Sequence, residues 1–247
     1  MTAGIDWHAR FRQQAAWTQP LRQYLYQQTG LANANRVLEV GCGTGALLAD
    51  LPTRAAVHGL DLIPGRLAQA RTHAPASLLT CGDALHLPFP AGAFALSLCH
   101  YLLLWVDDPL VVLKEMKRVT RPGGSVLALA EPDYSQRVDL PETLARLGRL
   151  QTESLRRQGA DPALGGRLAD LFQRSGLTVI ESGTLSSGSQ KPASTSDWEL
   201  EWAVLADDLS AVLPAGDIQQ LKQLDQQAWE RGERVLTVPT YFAWGRA

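Results

Sequence analysis

Cysteine is scarce and not placed to pair. Cys42, Cys81 and Cys99 are an odd three with no Cys-x-x-Cys among them, which argues against a disulfide framework and a structural zinc site. Charge of one sign is missing too. The chain has 23 Lys plus Arg against 25 Asp plus Glu, a net charge of −2, so nothing draws it in bulk to a nucleic-acid backbone or an anionic membrane. Long hydrophobic runs are absent. The stretch Phe94 to Val106 is interrupted by Ser97 and His100 and falls short of the ~20 residues that span a bilayer. Met1 to Gln14 carries Asp6, His8, Arg10 and Arg12 where a secretory signal needs an apolar segment. The expectation is a soluble cytoplasmic protein with no nucleic-acid partner, no membrane insertion and no metal.

What is present is ordinary globular material, 45% apolar over 247 residues. It contains no internal repeat and no long low-complexity tract. Residues 7 to 28 show helical spacing through Trp7, Phe11, Trp17, Leu21, Tyr24 and Leu25, with Gly30 as a stop. From Arg36 short apolar strands alternate with helices. Strands are expected at 37–40, 57–62, 77–81, 94–99 and 125–130. Helices are expected at 46–51, from Pro64 to about His73, and from Asp108-Pro109 to the turn Arg121-Pro122-Gly123-Gly124. Strands separated by helices imply a mostly parallel, doubly wound α/β sheet with helices on both faces. Beyond Glu131 helices are expected at 140–158, 167–175, 197–206 and 217–231, a strand at 177–185, and a strand-like run at 235–244 broken by Pro239. The Ser- and Gly-rich stretch Ser182 to Ser196 reads as a loop.

The segment Glu39-Val40-Gly41-Cys42-Gly43-Thr44-Gly45 ends the first strand. Glycines there allow a tight turn and let a ligand approach the backbone. Asp61 ends the second strand and Gly82-Asp83-Ala84 the third. In a doubly wound sheet the carboxyl ends of neighbouring strands line one crevice. A carboxylate at Asp61 can accept both hydrogens of a ribose diol. Asp83 and the backbone amides at Ala84 or Leu85 can meet the edge of an adenine. The site reads as nucleoside-binding.

At these residues the chain resembles the class I S-adenosylmethionine-dependent methyltransferases, in the small-molecule branch similar to the ubiquinone and menaquinone enzymes. The resemblance covers Arg36 to Glu131. It rests on the glycine segment, Gly59-Leu60-Asp61, Gly82-Asp83-Ala84 with Leu87-Pro88-Phe89, and Leu113 to Val119 with Arg121-Pro122-Gly123-Gly124. It implies a seven-stranded Rossmann-like sheet whose last strand, around Tyr241 to Arg246, is antiparallel, with a helical cap. The whole chain, 1–247, is then one domain: a cap at 1–35, a cofactor core at 36–131, and a remainder, 132–247, that completes the sheet and carries lid helices at about 140–158 and 197–231. The implied cofactor is S-adenosyl-L-methionine, leaving as S-adenosyl-L-homocysteine. Glu39, Gly41, Cys42, Gly43 and Gly45 would hold its methionyl and ribose parts, Asp61 and Leu62 its ribose side, Asp83 and Ala84 its adenine, and Cys99 and His100 its amino group. Two positions depart from the family pattern: Phe94-Ala95 where Phe-Asp is frequent, and Leu104-Trp105 where a Glu-His or His-His pair is frequent. The second implies an apolar acceptor pocket.

His100, Asp133 and Tyr134 at strand ends are candidate general bases, although a His at a strand end also serves as hydrogen-bonded structure. Trp17, Tyr101, Leu104, Trp105 and Trp198 are candidate pocket walls, and Tyr24 shares that position with Trp17. Trp198 and Trp202, spaced i, i+4, also fit a buried helix face. The acceptor is expected to be a small, partly apolar molecule, with its identity and the oligomeric state left open. Alternatives are a cofactor-binding protein that does not methylate, and an NAD-dependent oxidoreductase, since Gly41-x-Gly43-x-x-Ala46 satisfies the dinucleotide pattern. A nucleic-acid or protein methyltransferase is disfavoured by the charge.

Overall fold

A computed structural model describes residues 4–52, 54, 56–185 and 194–247. Its centre is a seven-stranded sheet in the order β3-β2-β1-β4-β5-β9-β7. The strands are β1 (Arg36–Val40), β2 (Ala56–Asp61), β3 (Leu78–Cys81), β4 (Phe94–Cys99), β5 (Thr120–Pro132), β7 (Thr178–Leu185) and β9 (Thr240–Arg246). Strands β1 to β5 pair parallel, and β9 runs antiparallel between β5 and β7. Every residue of β4 is buried, as a central parallel strand requires, whereas the edge strand β7 alternates exposed and half-buried residues.

Helices cover both faces. One face packs against α4 (Pro109–Val119) and α6 (Leu168–Arg174), with Met116 and Phe172 fully buried. The other packs against α2 (Gln19–Gln28) and α3 (Pro64–His73) through Leu25, Tyr26 and Leu67. A separate cluster joins α5 (Ala145–Arg157), α7 (Thr195–Ser210) and α8 (Ala215–Glu230) around Leu147, Trp202, Leu209 and Leu221.

Several expected elements differ. The helix at 7–28 is two, α1 (Trp7–Trp17) and α2, broken at Thr18, because Pro20 lacks the N–H that a continuous helix needs. No helix forms at 46–51; only a 3-10 turn, Leu48–Asp50, is present. Gly45 at φ +80° and Leu51, held extended ahead of Pro52, leave too few residues between them to nucleate one. The helix expected at 140–158 begins only at Ala145, after a 3-10 turn at Glu142–Leu144, and the residues ahead of it form a strand, β6 (Val138–Leu140), paired with β8 (Val235–Thr237) in a second, two-stranded sheet. Pro239 does break the final run, separating β8 from β9. The expected loop at 182–196 is strand up to Leu185 and helix from Thr195, and 186–193 lie outside the described residues.

Candidate active site

The sheet order reverses direction between β1 and β4, and the carboxyl ends of these strands define the ligand crevice of such a fold. Val40 lies beside Cys99 on one side and Leu60 on the other, and Asp61 lies beside Cys81. The glycine turn, Asp61, Asp83 and His100 therefore share one edge of the sheet.

The turn is built close. Gly41 and Cys42 both donate their amides to the Leu60 carbonyl, at 2.8 and 2.9 Å. Gly41 and Gly43 have φ of +73° and +53°. A Cβ on Gly41 would fall 2.7 Å from Leu102 and one on Gly43 would fall 3.0 Å from the Phe11 ring. Helix α1 thus lies directly on the turn through Phe11. His8 of α1 adds a 2.9 Å hydrogen bond between Nδ1 and Thr44 Oγ1, and its ring stacks on His73 at 3.4 Å. Asp61 fixes the turn from below: Oδ2 accepts from the Gly43 amide at 2.8 Å and Oδ1 from the Ile63 amide at 2.9 Å.

Glu39 is the anomaly of the site. It is buried, its Oε2 has no hydrogen-bond partner, and burial holds its carboxyl well above the usual range, opposed by the nearby Arg22 guanidinium. An orphaned acceptor beneath a glycine cradle fits a ligand that brings its own N–H donor. Each Asp61 oxygen keeps a further lone pair for hydroxyls. These residues fit S-adenosylmethionine. Asp83 is exposed, Oδ1 accepting from Leu85 N, and Leu62 is 65% exposed, an open apolar surface on the same edge.

Other expected residues require correction. The Cys42 side chain points into the core, where a Cβ on Gly59 would meet its sulfur, and burial raises its thiol pKa. Ala84 and the thiol of Cys99 are also core, so the expectation at both positions rests, as it did from the outset, on backbone atoms. His100 Nε2 bonds Thr18 Oγ1 at 3.0 Å, and burial with Arg22 nearby lowers its pKa to about 3. A base that weak removes few protons at neutral pH. Asp133 is buried and occupied: Oδ1 accepts from the amide and hydroxyl of Ser135, and Oδ2 from Gln136 and the Gly166 amide. It caps a turn instead of facing a ligand.

Beside the glycine turn, across the segment His100 to Leu102, is a cavity of about 330 Å³. Trp17 and Tyr101, named as candidate walls, line it, and so does Tyr134, named as a candidate base. Leu104 is instead core, Trp105 is 47% exposed, and Trp198 is turned inward. The indole N–H groups of Trp198 and Trp202 both donate to Asp225 Oδ2 at 2.8 Å, which leaves Trp202 as the one on the cavity wall. Tyr24 is at the surface, donating to Glu181. Sequence reasoning missed the polar wall: Arg10, Arg137, Gln151, Glu201, Asp225 and Arg234. No spacing rule connects them, because they come from α1, the approach to β6, helices α5, α7 and α8, and the approach to β8. Among the described residues no helix is long and apolar enough to cross a membrane, and no group of three or more His, Cys, Asp or Glu is placed to hold a metal.

The doubly wound seven-stranded sheet with its antiparallel β9 is the Rossmann-like fold of the class I methyltransferases, and the glycine turn, Asp61 and Glu39 lie at its ligand crevice. Residues 38–128 match the family described as a methyltransferase domain. A phosphatidylethanolamine N-methyltransferase of Cereibacter sphaeroides is 35% identical over 145 residues, covering 54% of this chain and 71% of that one. A demethylmenaquinone methyltransferase of Lactococcus lactis is 29% identical over 215 residues, 74% and 84% of the two chains. The structure of Haemonchus contortus phospholethanolamine N-methyltransferase 2, in complex with phosphomonomethylethanolamine and S-adenosylhomocysteine, superposes with a TM-score of 0.58 at 18% identity, over 93% of this chain and 52% of that one. Matches to two further curated relatives span only 33% and 45% of their lengths. The chain belongs to the S-adenosylmethionine-dependent methyltransferases.

Proposed function

We propose that this protein transfers a methyl group from S-adenosylmethionine to a small molecule held in the cavity beside Tyr101. The observation that carries the reading is Glu39, a buried carboxylate with an unpartnered oxygen beneath a glycine cradle. In this reading Glu39 accepts from the cofactor's amino group, Gly41 and Gly43 admit its backbone approach, Asp61 takes the ribose hydroxyls, and Leu62 with Asp83 takes the adenine. The sulfonium already activates the methyl. The protein's work is to hold the acceptor in line, with reacting atoms ~3–3.5 Å apart, and to exclude water. Tyr101 and Tyr134 border the cavity, and burial raises both phenol pKa values, so they serve as neutral hydrogen-bond groups that orient the acceptor.

Parallel calorimetric titration with S-adenosylmethionine, S-adenosylhomocysteine and NAD tests the cofactor. Binding of the first two and not the third is expected, and NAD binding alone would overturn the reading. Methyl transfer from labelled S-adenosylmethionine into a metabolite extract then separates an enzyme from a binding protein. Turnover unchanged in both His100→Ala and Asp133→Asn is expected if alignment suffices.

A further inference from the structure

We propose that Arg10 is the specificity-determining residue of the cavity and that the acceptor carries a carboxylate or a comparable planar anion that pairs with it. This rests on the methyltransferase reading only in calling the occupant an acceptor.

Three arginines line the cavity, and they differ in their partners. Arg137 is held in a bidentate pair by Asp139, at 2.7 and 2.9 Å. Arg234 bridges Asp139 and Asp225, at 2.6 and 2.5 Å. Both guanidinium charges are matched by buried carboxylates. Among the described residues Arg10 makes no ion pair. The one hydrogen bond of its guanidinium runs from Nη1 to Gln13 Oε1 at 2.6 Å, and its Nε is buried without a partner.

The guanidinium is nevertheless held. It lies over the Trp17 ring with Cζ 4.8 Å from the centroid, a cation–π contact. Gln13 bonds Arg10 on one side, and on the other its Nε2 donates to the Asp197 carbonyl at 2.9 Å and to Glu201 Oε1 at 3.4 Å. A neutral amide therefore stands between the cation and Glu201, which attracts Arg10 through space but makes no ion pair or hydrogen bond with it. A partly buried cation with no carboxylate in contact is left with unused donors. A held guanidinium with unused N–H donors at a cavity wall suits a planar anion. The aromatic walls Trp17, Tyr101, Tyr134 and Trp202 supply an apolar surface for the rest of the molecule.

The test uses 2-naphthoate and its uncharged analogue 2-naphthamide as probes, read by quenching of tryptophan fluorescence. The unsubstituted protein should bind the carboxylate about 10-fold to 100-fold more tightly than the amide. Arg10→Gln should abolish the preference, and Arg10→Lys should restore part of it. Gln13→Glu leaves Arg10 in place but gives it an internal carboxylate, and should also remove the preference. Equal affinity for the two probes in the unsubstituted protein, including no binding of either at about 10 mM, overturns the proposal. So does a preference that survives in Arg10→Gln. S-adenosylhomocysteine binding, measured separately, tells the two failures apart: its loss sinks the methyltransferase reading, while the probe preference needs no cofactor.

Discussion

Two buried acid–base groups at the carboxyl edge of the sheet shift in opposite directions, and that fixes how stability should follow pH. Glu131 is fully buried, and burial raises its pKa to about 7, although the amides of Leu102, Leu103 and Leu104 all donate to it and favour the charged form. Its folded value lies above the ordinary 4.5, so its stabilising contribution is complete below pH 4.5 and is lost as pH rises through 7. His100 is the reverse. Its folded value of about 3 lies below 6.5, so its contribution is complete above pH 6.5 and is lost as pH falls toward 3. Urea unfolding measured across pH 4 to 7 should therefore show His100→Gln losing less stability than the unsubstituted protein on acidification. Glu131→Gln should lose less than it does on going from about pH 5 to pH 7. A variant whose pH slope matches that of the unsubstituted chain removes that group from the account. Asp225 gives a larger effect without pH. It accepts from two buried indoles and from the Arg234 guanidinium. Asp225→Ala leaves that cation short of a partner, and an equilibrium denaturation loss of about 3–5 kcal/mol is expected.

At the scale of elements, the contact between α1 and the glycine turn is the testable one. Gly43 sits at φ +53° with the Phe11 ring against it. Gly43→Ala adds both backbone strain and a collision, and should cost about 1–2 kcal/mol in stability along with S-adenosylhomocysteine affinity. Phe11→Ala removes the collision but not the strain. The double variant should therefore fall short of the sum of the two losses, and additivity would mean that Phe11 does not press on the turn. This also marks where the sequence was legible. Strands β1, β2 and β4 were readable because parallel strands covered on both faces are continuous apolar runs, and the glycines and acids at their ends fall at fixed offsets. The pairing of β6 with β8 was not, because three-residue strands carry no periodicity and their partners are about a hundred positions apart. The helix expected at 46–51 failed because Gly45 and Pro52 outweigh the apolar residues between them. The cavity wall was hidden for a third reason: Arg10, Gln13, Glu201 and Asp225 meet only through the packing of α1 against α7 and of α7 against α8.

Over the whole molecule, α1 touches both halves of the site at once. Phe11 and His8 rest on the glycine turn, while Arg10 and Trp17 face the cavity. A ligand at either place orders the helix that the other must also use, so the two sites are expected to be coupled, and coupling in binding is reciprocal. Saturating S-adenosylhomocysteine should tighten 2-naphthoate binding by about fivefold, and saturating 2-naphthoate should tighten S-adenosylhomocysteine by the same factor. His8 is the place to break the link, since it ties α1 to Thr44 and to the His73 ring without lining the cavity. His8→Ala should raise amide hydrogen exchange through residues 7–17, leave β1 to β5 protected, and bring the coupling factor toward one. Coupling that persists while α1 exchanges freely would place the connection in the His100 to Leu102 wall instead, where Leu102 presses on Gly41 and Tyr101 borders the cavity.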